Sequence, residues 1–207
     1  LKKHKLPFSI FVSSHYVSKA EESDFMSWSM LKEVSKSDGL ILNHSKSHES
    51  LLEIDIQTVK KEIEQNQIEI DKNVGEQPKI FSYPYGESSK NVEDVVKLLN
   101  YEIAFSQHSS PIHLDQNIFR LPRYALNDEF GNLKRFKMIL KTKPLEIFQS
   151  SFDDAIINTD KFHYSFLSKI PSKFISCFIN NSASMIKKDK GNKVSLYLSK
   201  LKNGVRY

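Results

Sequence analysis

The chain has 207 residues, enough for one large domain or for a medium domain with a small one. Its 30 basic and 25 acidic residues leave a formal charge of only +5. The lysines are scattered rather than gathered in an aromatic-interleaved stripe, which argues against a nucleic-acid module. No run approaches the ~20 apolar residues of a membrane helix, and the single cysteine, Cys177, cannot make an internal disulfide and leaves the redox compartment open.

In chain order, residues 6–12 alternate around Phe8, Ile10 and Val12 and predict a strand. Ser27 precedes Trp28, Met30, Leu31 and Val34 at helical spacing, with a stop near Gly39. Leu40-Ile41-Leu42 is a short buried strand that runs into Asn43-His44-Ser45-Lys46-Ser47-His48-Glu49. From Ile54 to Asn73, the positions Ile56, Val59, Ile63 and Ile70 among Glu and Lys predict a long amphipathic helix that stops at Gly75. Residues 79–83 read as a strand feeding Ser82-Tyr83-Pro84-Tyr85-Gly86, a tight turn. A helix capped by Asn91 carries Val92, Val95, Val96, Leu98 and Leu99; a strand over 101–105 and a polar loop to Asp115 follow. This alternation of strand and helix predicts parallel βα units in a barrel-like α/β fold.

The character changes after Arg123. Residues 132–141 predict one more helix. From Leu145, short apolar runs at 173–179, 183–186, 194–198 and 205–207 are broken by turns at Asn180-Asn181, Gly191-Asn192 and Asn203-Gly204. The expectation is a domain over residues 1–144 and a small antiparallel β module over 145–207.

Two histidines at one strand end and a Pro-Tyr-Gly turn at another are the parts of a metallohydrolase site, because imidazoles are good zinc ligands. The constellation resembles the polysaccharide deacetylases of the NodB-homology type (carbohydrate esterase family 4). His44-Ser45-Lys46-Ser47-His48 matches that family's metal-binding His pair, and Ser82-Tyr83-Pro84-Tyr85-Gly86 matches its Arg-x-Pro-Tyr-Gly turn, with Ser82 where Arg is usual. Residues 1–12 look like the family's second strand and the helix end before it, and residues 26–34 like the helix before the His motif. Leu121-Pro122-Arg123 resembles a late segment of one subgroup. The family's Thr-Phe-Asp-Asp-Gly motif, source of a third ligand and of the base, would precede Leu1. By the family pattern the chain is expected to be an N-terminally truncated barrel followed by a β appendage.

Each candidate has a plainer reading beside it. His44 and His48 are expected metal ligands, against exposed histidines of no function. Tyr85 lends a backbone N–H to an oxyanion by resemblance, against a plain Pro-Gly turn. Arg123 is a replacement guanidinium for the missing Arg, against a surface ion pair. His108 is a candidate general acid for the leaving amine, against an exposed loop histidine. Asp153-Asp154 imitates the absent Asp-Asp motif but lacks the following Gly and an apolar strand before it, so it reads as a loop or cap. Trp28 is core or pocket wall.

The resemblance implies a metal-dependent hydrolase that removes N-acetyl groups from the amino sugars of a bacterial polysaccharide. It implies a divalent metal, zinc first, an N-acetylated glycan as partner and an extracytoplasmic location, secreted or in the cell envelope. The alternative is a non-catalytic glycan-binding or scaffold protein on a degenerate deacetylase barrel.

Overall fold

A computed structural model describes residues 4–19, 24–179 and 183–202. The chain divides into two compact units, Leu1–Lys141 and Thr142–Tyr207. The expected turns at Asn180-Asn181 and Asn203-Gly204 and the run at 205–207 lie outside the described residues.

The first unit contains β1 (Phe8–Val12), α1 (Ser14–Val17), α2 (Trp28–Ser35), β2 (Gly39–Asn43), α3 (Ile56–Val74), β3 (Ile80–Ser82), α4 (Lys90–Leu98), β4 (Ile103–Phe105) and α5 (Leu133–Ile139). Strands β1 to β4 are all parallel and lie side by side in chain order. Among the described residues they form an open sheet rather than a closed barrel, extended by one parallel bridge from Phe105 to Leu121. Strand β2 is apolar from Leu40 to Leu42 and largely buried along its length, as parallel strands covered on both faces usually are.

Local chemistry sets the helix ends. The Ser27 hydroxyl accepts from the Met30 N–H and starts α2. The Asp55 carboxylate accepts from the N–H groups of Gln57 and Thr58 and starts α3, and Gly75, at φ +101°, closes it. Helix α4 corrects the sequence reading: its cap is Ser89, whose hydroxyl accepts from Val92 N–H, and Asn91 lies inside the first turn. The last strand of this sheet is also shorter than expected, beginning at Ile103.

The apolar stripe of α3 joins two clusters. Val59 and Ile63 pack with Phe81, Tyr83, Val96 and Ala104, while Ile70 packs with Val12, Val17, Leu31 and Ile41. Trp28 lies against the second cluster and belongs to the core. Full burial of each such Val or Ile side chain contributes about 1.5–3 kcal/mol, so α3 is the element that fixes the sheet.

The second unit is an antiparallel sheet ordered β5 (Ile147–Phe148), β6 (Lys161–Ser168), β8 (Lys193–Ser199), β7 (Ser184–Lys190). Gly191 and Asn192 turn the β7–β8 hairpin, as the sequence indicates. The strand expected over 173–179 is not one. Pro171 sets up a short 3-10 turn at Ser172–Phe174, and the segment after it joins no sheet. Strand β6, whose Phe162, Tyr164 and Phe166 alternate along the chain, is one of the two inner strands, and the sequence reading missed it.

Candidate functional site

In a parallel sheet, functional side chains gather beyond the carboxyl ends of the strands. Here β2 ends at Asn43 and delivers His44, and its neighbour β3 ends at Ser82 and delivers the Tyr83–Gly86 turn.

The segment between the histidines is fixed from three directions. From below, the fully buried Asn43 donates to Ile63 O at 2.9 Å, and its Oδ1 accepts from Ser45 N–H at 3.0 Å and from Asn66 at 2.8 Å. From α3, one carboxylate oxygen of Glu62 accepts three hydrogen bonds, from Lys46 N–H at 3.0 Å, Ser47 N–H at 2.8 Å and the Ser47 hydroxyl at 2.9 Å. From the start of α1, the Ser13 hydroxyl donates to His44 O and the N–H of His15 donates to Lys46 O. Ser45 also accepts from His48 N–H at 3.3 Å. These contacts hold Ser45 and His48 at φ +61°, a left-handed backbone that costs about 1–3 kcal/mol at a non-glycine residue and persists only where its surroundings over-determine it.

His44 Nδ1 lies 2.6 Å from Ser82 O. A carbonyl only accepts, so Nδ1 carries the proton and Nε2 keeps its lone pair. Orientation of a ring through a carbonyl on its other nitrogen is how metal-binding imidazoles are usually prepared. Burial lowers the His44 pKa to about 4, against the raising effect of the Ser82 bond and with help from the charges of His48 and Arg123. At neutral pH this ring is therefore uncharged. The His44 and His48 rings stand 4.8 Å apart, edge to face, and His48 is 4.7 Å from the Tyr85 ring.

The Tyr83–Gly86 turn is tight. Gly86 N–H donates to Tyr83 O at 2.9 Å and Glu87 N–H to Pro84 O at 3.1 Å, with Tyr85 at φ +56°. Gly86 sits at φ +72°, and a Cβ there would come within 2.2 Å of the Gln107 side chain and 2.5 Å of its backbone N. Only glycine fits. Arg123 is half-buried. Its Nε donates to Ser106 O at 2.8 Å, and its own N–H donates to His108 O at 3.1 Å. The Arg123 charge helps to lower the His44 pKa, and its side-chain hydrogen-bond partners are the neutral Ser106 and Gln107. His108 is exposed. Among the described residues, the ring contacts of His44 and His48 are with Phe11, Tyr16, Tyr85 and each other, and His108 is not among them. Asp154 lies in a loop of the second unit, where its carboxylate accepts from the N–H of Ala155 and of Ile156.

Sequence reasoning missed the glutamates. Glu62 is described above. Glu93, on α4, is fully buried and accepts from Arg120 at 2.5 Å and from Asn117 at 2.9 Å, which ties the loop before Arg123 to the core. For a divalent metal the donor set is two imidazoles. Among the described residues no group of three or more His, Cys, Asp or Glu side chains could hold an ion, so these residues fall one ligand short of a catalytic zinc set.

Residues 1–104 match the family model described as polysaccharide deacetylase. The chain belongs to that family. Three solved structures share its fold. A Streptococcus pyogenes deacetylase, PplD, in complex with acetate, is 14% identical with a TM-score of 0.62 over 70% of this chain and 62% of its own. The putative polysaccharide deacetylase BA0330 from Bacillus anthracis is 17% identical with a TM-score of 0.57, over 66% and 42%. IcaB from Ammonifex degensii is 20% identical with a TM-score of 0.54, over 62% and 60%. The chain thus spans about three-fifths or less of the length of each. No curated protein matches it. The parallel α/β sheet of this polysaccharide deacetylase family member carries its His pair and its Pro-Tyr-Gly turn on adjacent strand ends. No described helix is long and apolar enough to cross a membrane.

Proposed function

We propose that these residues form the glycan-binding face of a deacetylase-type fold and do not by themselves complete its chemistry. The observation that carries this reading is the donor set: His44 and His48 meet without a carboxylate in a metal-binding group among the described residues. Ser82 contributes only its backbone oxygen to the pair, in a position where the family's usual Arg would orient a base. The neutral imidazoles, the exposed Tyr85 ring and the Arg123 guanidinium then act as hydrogen-bond and stacking partners for an N-acetylated amino sugar, in an extracytoplasmic setting.

The second reading is a metal-dependent polysaccharide N-deacetylase. It is favoured by the prepared Nε2 of His44, by the 4.8 Å approach of the two rings and by family membership. It requires an Asp ligand and an Asp base from a strand beside β1, closing the sheet toward a barrel. Tyr85 N–H is then the oxyanion donor and His108 the candidate acid.

One experiment separates the readings. N-acetylglucosamine oligomers are titrated into the protein by calorimetry, and acetate release is followed with zinc or cobalt added. Binding without acetate release supports the glycan-binding reading. Acetate release that disappears in His44→Ala overturns it in favour of the enzyme, and absence of both binding and release overturns both.

A further inference from the structure

We propose that Tyr16 and Phe25 form an aromatic stacking subsite that takes the sugar ring next to the one held at the His44–His48 pair, so that the protein reads a polymer rather than a single amino sugar. The proposal rests on the glycan-binding reading. Four rings run in unbroken contact across the site: Tyr85 to His48 at 4.7 Å, His48 to Tyr16 at 6.5 Å and Tyr16 to Phe25 at 4.9 Å. Both ends of the run lie open to solvent, with Tyr85 50% and Phe25 49% exposed. Phe81 and Tyr83, which pack in the core of the same unit, are by contrast fully buried. A lone exposed ring needs no explanation, whereas a contiguous apolar run beside a polar site marks a binding surface.

Tyr16 is also held in place for this role. Its short helix α1 is anchored by Ser14 N–H donating to the buried Asn66 Oδ1 at 2.8 Å. His15 N–H donates to Lys46 O at 3.1 Å, so the turn that carries Tyr16 is bonded to the segment between the two histidines. A ring pre-positioned in this way loses little freedom on binding. The chemistry of the run selects its occupant. A pyranose has an apolar C–H face that packs on an aromatic ring and a rim of hydroxyls that hydrogen-bond, and here ring faces alternate with a tyrosine hydroxyl and imidazole nitrogens. Phe25 has no polar group, so it suits the C–H face of an outlying sugar and not the acetamide itself.

The test is calorimetric titration of the intact chain with N-acetylglucosamine and its oligomers from dimer to hexamer, for wild type, Phe25→Ala and Phe25→Tyr. The expected result is that wild type binds the oligomers more tightly than the single sugar, that Phe25→Ala weakens the dimer and the hexamer about tenfold or more while leaving the single sugar nearly unchanged, and that Phe25→Tyr restores the oligomers. Phe25 is exposed, so Phe25→Ala should keep the wild-type melting temperature. Should Phe25→Ala bind the hexamer as tightly as wild type, the subsite is refuted while the glycan-binding reading stands. If wild type binds no oligomer, reading and subsite fail together. Self-association that Phe25→Ala abolishes, with glycan binding unaltered, assigns the surface to a second copy and overturns the subsite.

Discussion

Two of the loops at the candidate site are each fastened by a glutamate, by a different route. The segment 44–48 is held directly: Glu62 on α3 accepts from the very backbone that separates the two histidines. The segment leading to Arg123 is held at a distance, because Glu93 on α4 binds Arg120 and Asn117 upstream of it. Glu93 is fully buried and its partner Arg120 is partly buried, with 18% of its side chain exposed, whereas Glu62 itself is only half-buried. The contrast teaches that the two carboxylates carry different burdens. One is part of the core and happens to anchor a loop, and the other shapes a loop while the core would stand without it.

The sharpest way to break this comparison is at Glu93. Its removal takes a buried carboxylate away from the Arg120 guanidinium and from Asn117, and breaking a buried pair by removing one partner typically costs about 3–5 kcal/mol. Glu93→Ala should therefore lower stability by that order, measured by urea unfolding. Amide exchange should rise along both α4 and the 117–121 segment, since Tyr83 OH also donates to Phe119 O there. A loss under about 1 kcal/mol would show that the pair behaves as a surface ion pair and that the contrast is empty.

At Glu62 the expected loss is smaller and local. Three hydrogen bonds to one charged acceptor are lost, from groups that water can partly reach, for a total of about 2 kcal/mol. Glu62→Ala should raise amide exchange at residues 45–49 and leave the rest of α3 protected. Glu62→Gln, which keeps an acceptor oxygen, should recover most of that protection. Exchange that rises across the whole first unit would place Glu62 with Glu93 as a core element.

The same contrast explains what was legible in the sequence. His44 and His48 stand out because they follow an apolar strand at a fixed spacing, and the turn at Pro84-Tyr85-Gly86 announces itself through Pro and Gly. Glu62 and Glu93 do not stand out. They lie in helices full of Lys and Glu, and their partners are 15 to 27 residues away, so only the fold reveals them. The cap of α4 was misplaced by two residues because Ser89 and Asn91 are both good caps, and chain direction rather than residue type decides between them. His108 stands out for its chemistry; it is exposed on its loop, and its ring is not among the described ones that touch the pair. In the second unit the alternation of Phe162, Tyr164 and Phe166 marks an inner strand, whereas the apolar run at 173–179 joins no strand among the described residues.

The smallest expected effect tests the Glu62-held loop from the inside. His44 is neutral because burial disfavours its charged form, with a folded-state pKa near 4 against an ordinary value of 6.5. Between these values the unfolded chain binds more protons than the folded one, so stability rises with pH across that window. The His44 contribution is complete above about pH 6.5 and is lost as pH falls toward 4. Discounted for the partial exposure of the ring, it amounts to about 1–2 kcal/mol. In chelator-treated protein, His44→Asn should flatten the acid limb of the stability curve between these pH values, although it lowers stability at neutral pH by loss of the Ser82 contact. His108→Asn, on the other loop, should leave the difference between pH 7 and pH 5 closer to that of wild type. If His44→Asn keeps the wild-type acid limb, another group governs it, and the His44 ring is not held in the buried, Ser82-bonded geometry on which the site depends.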